Sequence, residues 1–262
     1  MALLEIRDLG ISFKGIRALR DVSLSVEKGQ LFSLVGPNGA GKTTVFNCLS
    51  RVCRQDSGEI RFNGRDVSTL QPHEVARNGI ARTFQNLELF PGLSTLDNIL
   101  IGCHATIETS LWESVLYTRG ARRAEDEARE RAEHVIEFLE LESARKTLVH
   151  NLPYGVRKRV EMGRALALEP ELLLFDEPAA GLNAEEMEEL AFWIQEIREL
   201  RDMTFLLVEH DMHFVMDLSD RIAVLDHGEV IFEGRPDEVQ SSDRVIEAYL
   251  GDSGRTHAAG SR

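Results

Sequence analysis

Apolar residues fall along this chain in two patterns. Leu172–Phe175, Phe205–Val208 and Ile222–Leu225 are short runs that are almost wholly apolar. Strands covered on both faces read this way, so these three predict the buried centre of a parallel sheet. The first part of the chain is richer in strand signals. Leu3–Leu9, Leu24–Val26, Gln30–Val35 and Glu59–Phe62 read as strands, with Asn63 and Gly64 as the turn after the last. Asp226–Gly228 reads as a turn from which Glu229–Phe232 pairs back as a hairpin. Between residues 95 and 169 the period changes to that of helices. Ala121–Leu141 is dense in Arg and Glu, with apolar positions gathered toward Val135, Ile136, Phe138 and Leu139, as in a helix with one solvated face.

Alternating strand and helix patterns predict an α/β core with a mostly parallel sheet. The β-rich start predicts an antiparallel β subdomain, and the stretch at roughly 90–165 an inserted α-helical subdomain. Residues 1–250 are expected to form one domain and 251–262, small and polar, a disordered tail. Composition narrows the classes. Hydrophobic residues at 43% and charged residues at 28% suit a globular protein. The net charge of −14 argues against general binding to nucleic acid or anionic lipid. No stretch approaches the roughly 20 apolar residues of a membrane span, and the opening MALLEIRDLG does not read as a secretory signal. Cys48, Cys53 and Cys103 match no metal-ligand spacing and suit a reducing cytosol. A role at a membrane would therefore run through a protein partner, without insertion of this chain.

The strongest chemistry lies in Gly36-Pro37-Asn38-Gly39-Ala40-Gly41-Lys42-Thr43, followed by Thr44, which fits the phosphate-loop pattern GxxxxGK[ST] in full. A strand precedes it and a helical run follows. Glycines let the backbone turn its N–H groups onto a phosphate, and the helix N-terminus adds partial positive charge. Lys42 is expected to meet the β and γ phosphates of a nucleotide and Thr43 to hold Mg²⁺. The run Leu172–Phe175 ends in two acids. Asp176 is expected in the Mg²⁺ shell, and Glu177 beside it as the group that polarises the attacking water.

Further segments, in this order, resemble ABC transporter ATPases. Gln85 in ARTFQN is similar to the Q-loop glutamine, a nucleotide and metal contact. Leu152-Pro153-Tyr154-Gly155-Val156 stands where that family carries its LSGGQ signature. Ala180-Gly181-Leu182-Asn183 resembles the D-loop, and His210 in VEHD the switch histidine. Phe13 falls where the family sets an aromatic ring against adenine. The resemblance implies an ABC ATPase fold and a composite site. In it, Glu177 and His210 act on ATP held by one subunit, and Pro153, Tyr154 and Gly155 of a second subunit cover the γ-phosphate. Pro153, Tyr154 and Val156 depart from the signature, and Asn183 from the usual D-loop Asp; no serine hydroxyl reaches the γ-phosphate.

LPYG, RTFQN, DEPAAGLN and VIEAYLG together resemble the branch that powers branched-chain amino-acid uptake. That likeness implies a cytoplasmic subunit on the inner face of the plasma membrane, paired with a second ATPase subunit and with permease chains. The 86–110 stretch, with Leu87, Leu89, Phe90 and Leu93, is the expected docking surface or, equally, ordinary core. Urea or amide uptake, lipopolysaccharide export, a soluble ABC ATPase without a transporter, and a binding module without useful hydrolysis remain as alternatives.

Overall fold

The computed structural model describes residues 2–83, 88–104 and 119–249. Two sheets organise them. The first is antiparallel, in the order β2-β1-β4-β5, from β1 (Ala2–Phe13), β2 (Ile16–Glu27), β4 (Ser57–Phe62) and β5 (Arg65–Asp66). The second has six strands in the order β10-β9-β3-β8-β7-β6. They are β3 (Leu31–Val35), β6 (Ile80–Arg82), β7 (Leu172–Asp176), β8 (Thr204–Val208), β9 (Arg221–Asp226) and β10 (Glu229–Gly234). Pairing is parallel from β9 to β6, and only the β9–β10 hairpin is antiparallel.

The apolar runs follow from this geometry. Strand side chains alternate between faces. In β7, Leu172 and Leu174 face the antiparallel sheet and the helix α1 (Lys42–Leu49), whereas Leu173 and Phe175 face the other way. In β8, Leu206 and Val208 take the first side, and Phe205 and Leu207 the second. Both faces are covered, so no polar alternation survives.

The second face is covered by α3 (Thr95–His104), α4 (Arg119–Phe138), α5 (Tyr154–Leu166) and α6 (Ala184–Arg201). The expected solvated helix is α4: Ala128, Ala132, Val135 and Ile136 are buried and the charged positions look outward. The chain after β8 adds α7 (Met212–Leu218). Beyond β10 come α8 (Pro236–Gln240) and a helical stretch at 243–249, with Val239 and Val245 packed against Val35, Val215 and Val224. A short helix, α2 (Pro72–Arg77), precedes β6. No helix among the described residues is long and apolar enough to cross a membrane. The expected tail at 251–262 lies outside the described residues.

Parallel pairing puts the C-terminal ends of β3, β6, β7, β8 and β9 on one edge. In open α/β sheets, ligands bind beyond that edge. The phosphate-loop pattern follows β3, Asp176 closes β7, and Glu209 and His210 follow β8.

Candidate functional site

Residues 36–41 form the loop between β3 and α1, and its glycines are there for space as much as for flexibility. Gly36 has φ +148°, and a Cβ on it would sit 2.0 Å from the carbonyl oxygen of Leu225. Gly41 has φ +111°, with a Cβ position 2.7 Å from Leu19 Cδ2. A side chain at Gly36 would force the β9 backbone away from the loop, and one at Gly41 would press on the buried Leu19 side chain from a strained backbone conformation. Lys42 opens α1 and is 5% exposed. Its Nζ donates to the carbonyls of Gly36 at 2.6 Å and Pro37 at 3.0 Å. Burial lowers the Lys42 pKa, opposed by the nearby carboxylates of Glu177 and Asp176. One buried cation and the two acids at the C-terminal end of β7 thus share one electrostatic environment.

Asp176 is buried, and one of its oxygens, Oδ2, accepts from Arg82 Nη2 at 2.6 Å. Arg82 closes β6. Its Nη1 also donates to Asn47 Oδ1 and Ser50 Oγ of α1, each at 2.9 Å, and its guanidinium lies 5.7 Å from the centre of the Phe46 ring. Glu177 takes the left-handed conformation, φ +50°, uncommon for a residue with a Cβ. Its N–H donates to Val208 O at 2.8 Å, its C=O accepts from Ala180 N at 3.2 Å, and its Oε1 lies 2.6 Å from His210 Nε2. Glu177 and His210, read separately from the sequence, therefore face each other across the exits of β7 and β8.

The other expected residues fall as follows. Thr43 is exposed and Thr44 half-buried on the first turn of α1. Phe13 ends β1, 48% exposed. Gln85 and Leu87 lie outside the described residues. Leu89 packs against the helical core, while Phe90 and Leu93 are exposed. Pro153 is the N-cap residue of α5 and supplies no side-chain acceptor to its first amides. Tyr154 Oη donates to Ala180 O at 3.2 Å, in the D-loop-like segment of the same chain. A Cβ on Gly155 would lie 3.4 Å from Glu186 Oε1. Asn183 caps α6: its Oδ1 accepts from Glu186 N, and Glu186 Oε2 accepts from Asn183 N, each at 3.0 Å. A reciprocal cap of this kind is worth about 1 kcal/mol. The departures from the family pattern at 154 and 183 thus have structural uses within the chain.

The sequence reading missed Arg82 and Glu209. Glu209 is 3% exposed, its pKa raised by burial against the opposing pull of backbone N–H groups at Ala179, His210 and Asp211. No local signal marks either role, since Arg82 meets a partner 94 positions away and Glu209 one 30 away.

A glycine-rich loop, a buried lysine and a helix N-terminus together suit a polyphosphate. The oxygens of Thr43 and Asp176 are hard donors of the kind Mg²⁺ prefers. Among the described residues no group of three or more His, Cys, Asp and Glu could hold a metal ion.

Comparison with known proteins agrees with this chemistry. A family model described as ABC transporter matches residues 19–180, and one described as branched-chain amino acid ATP-binding cassette transporter matches residues 229–254. The chain is 39% identical over 251 residues to BraF of Pseudomonas aeruginosa and 41% identical to LivG of Salmonella typhimurium. Both are high-affinity branched-chain amino acid transport ATP-binding proteins, and each match covers 96% of this chain and 98% of the relative. Among solved structures, an ATP-binding cassette of an ABC transporter in its ADP conformation superposes with a TM-score of 0.84 at 32% identity, covering 96% of this chain and 99% of that one. A dimeric bacterial ABC transporter cassette superposes at 0.74 with 25% identity, covering 89% and 98%.

Proposed function

The chain belongs to the ABC transporter ATP-binding family, and from that premise we propose that it drives uptake of branched-chain amino acids or a related small polar solute. It binds nucleotide and hydrolyses ATP as a transport ATPase. The observation that carries the solute assignment is the match of residues 229–254 to the branched-chain amino acid model, alongside relatives of that name aligned over 96% of the chain. Residues 1–250 then act as one domain, with the segment at roughly 90–165 inserted into it.

The proposed mechanism follows from the edge of the parallel sheet. The backbone N–H groups of residues 36–44, Pro37 excepted, cradle the phosphates of ATP, and Lys42 gives its ammonium to the β and γ groups. Phe13 lies against adenine. Thr43, Asp176 and Gln85 would hold Mg²⁺, which when bound neutralises phosphate charge and orients the γ-phosphate for in-line attack. Glu177 accepts a proton from, or orients, the attacking water. His210, 2.6 Å from Glu177 Oε1, fixes that carboxylate in its left-handed backbone position. A second ATPase subunit brings Pro153, Tyr154 and Gly155 at the start of α5 over the γ-phosphate, so bound ATP closes a dimer and hydrolysis opens it. The motion passes to permease chains through the surface bearing Phe90 and Leu93, which holds the subunit on the inner face of the cytoplasmic membrane.

Purification from native membranes tests this reading. The tagged chain should come out in detergent with apolar permease chains in fixed ratio, and the complex in proteoliposomes should take up leucine with its binding protein and ATP. Recovery as a free chain, or ATP turnover without uptake of any amino acid or amide, would contradict it.

A further inference from the structure

We propose that Glu209 is a positioning residue: its buried carboxylate clamps the turn that carries Glu177 to the loop that carries His210, and so sets the rate of hydrolysis without touching the nucleotide. The inference rests on the roles proposed above for Glu177 and His210.

The geometry is that of a two-ended clasp. Glu209 Oε1 accepts from Ala179 N at 2.7 Å, and Oε2 from His210 N at 2.9 Å. Ala179 lies in the tight turn after β7, where Ala180 N donates to Glu177 O and Leu182 N to Ala179 O. Three polar contacts between the two loops are Glu177 N to Val208 O, the Glu177–His210 contact itself, and Ala179 N to Glu209 Oε1.

The residue type fits the task. Removing a carboxylate from water is costly unless its oxygens are hydrogen-bonded. A carboxylate is also the one side chain of this size with two full acceptors, so it can hold two donors on separate segments at once. An apolar residue at 209 would pack as well but leave both amides without their acceptor. A Gln would satisfy one amide and turn its own N–H₂ toward the other. The neighbours have different duties, since Asp211 accepts from Phe214 N at 3.0 Å as the cap of α7. Glu177 also needs holding. A left-handed backbone at a residue with a Cβ persists only where its surroundings fix it, and the Ala179 anchor is two residues away.

The network bears on the partner subunit too. Tyr154, expected to face the nucleotide of a second subunit, bonds the carbonyl of Ala180, next to the clamped residue. The same turn is thus gripped from the signature side and from the hydrolysis side.

Glu209→Gln and Glu209→Asp in the full-length chain test the clamp, with nucleotide affinity by titration and ATP turnover at saturation measured separately. Glu209→Gln keeps the volume and loses one amide bond. Its kcat should fall about ten- to a hundredfold, the scale of a small misplacement of catalytic groups. Nucleotide affinity and KM should stay within about threefold, since no bond to residues 36–43 is altered. Glu209→Asp, charged but shorter, should recover part of the loss. In a His210→Ala background, Glu209→Gln should add little, because both changes act on the same pair. Wild-type kcat in Glu209→Gln, with His210→Ala impaired, would overturn the clamp and leave the pair standing. So would a loss in Glu209→Gln that simply multiplies with that of His210→Ala, or one that follows nucleotide affinity. Wild-type turnover in Glu177→Gln and His210→Ala would remove the pair and the clamp together.

Discussion

Replacing Arg82 with Met removes the guanidinium that faces Asp176 at 2.6 Å, in a site where the two side chains are 10% and 5% exposed. Met keeps most of the apolar stem, so packing changes little and the loss is electrostatic. Asp176 then stays buried without the cation hydrogen-bonded to it, and Asn47 and Ser50 lose their donor. Breaking a buried pair on one side costs about 3–5 kcal/mol. For a chain of this length that lowers Tm by about 6–20 °C. Arg82→Met/Asp176→Asn removes the stranded charge as well and should recover most of the loss, because a buried pair replaced as a unit is close to neutral. Urea unfolding of wild type, both single variants and the double, followed by circular dichroism in metal-free buffer, gives the coupling directly. If Arg82→Met lies within about 1 kcal/mol of wild type, or the double variant shows the sum of the two single losses, the account of a charge-compensating arginine is wrong.

Three further outcomes are expected. Lys42→Ala removes the cation proposed to meet the phosphates and should abolish tight ATP binding; unchanged affinity in a nucleotide titration would sink the phosphate-loop assignment. Burial pushes the Tyr249 phenol, ordinarily ionising near 10, up to about 12, opposed by a hydrogen bond with the Gly36 backbone. The unfolded chain releases this proton first, so stability should fall as pH rises from about 10 to 12, and Tyr249→Phe should flatten that part of the unfolding profile. Burial also raises the thiols of Cys48 and Cys103, whereas Cys53 is only half-buried. Mass spectrometry after brief iodoacetamide treatment should find Cys53 labelled first, and equal labelling of Cys48 would contradict its packing.

The sequence shows clearly what depends on nearby residues. The phosphate loop is legible because strand, glycines, lysine and helix are contiguous. The strands β7, β8 and β9 are legible because burial on both faces leaves an unbroken apolar run. β6 is not legible, being three residues long and lacking both alternation and a long apolar run. β1 and β2 run longer than their patterns predict, because register shifts along their pairing break the alternation. Asn183 looks like a departure from a functional motif until its capping partner Glu186 is seen three residues on. Arg82 and Glu209 are illegible for a different reason. Arg82 meets a partner 94 positions away and Glu209 one 30 away, and nothing local marks either contact.

The central claim is that Glu177 drives hydrolysis within an ATP-closed dimer. Size-exclusion chromatography of Glu177→Gln with MgATP, paired with its turnover, tests it most directly. Gln is nearly isosteric, so ATP should still bind. It cannot act as a base, so turnover should fall by about a hundredfold or more, and the uncleaved nucleotide should hold two chains together in the elution profile. The wild type should elute mainly as a monomer under the same conditions. A variant that stays monomeric and hydrolyses ATP at the wild-type rate would contradict the claim, since Glu177 would then not be the base and the shared site would not form.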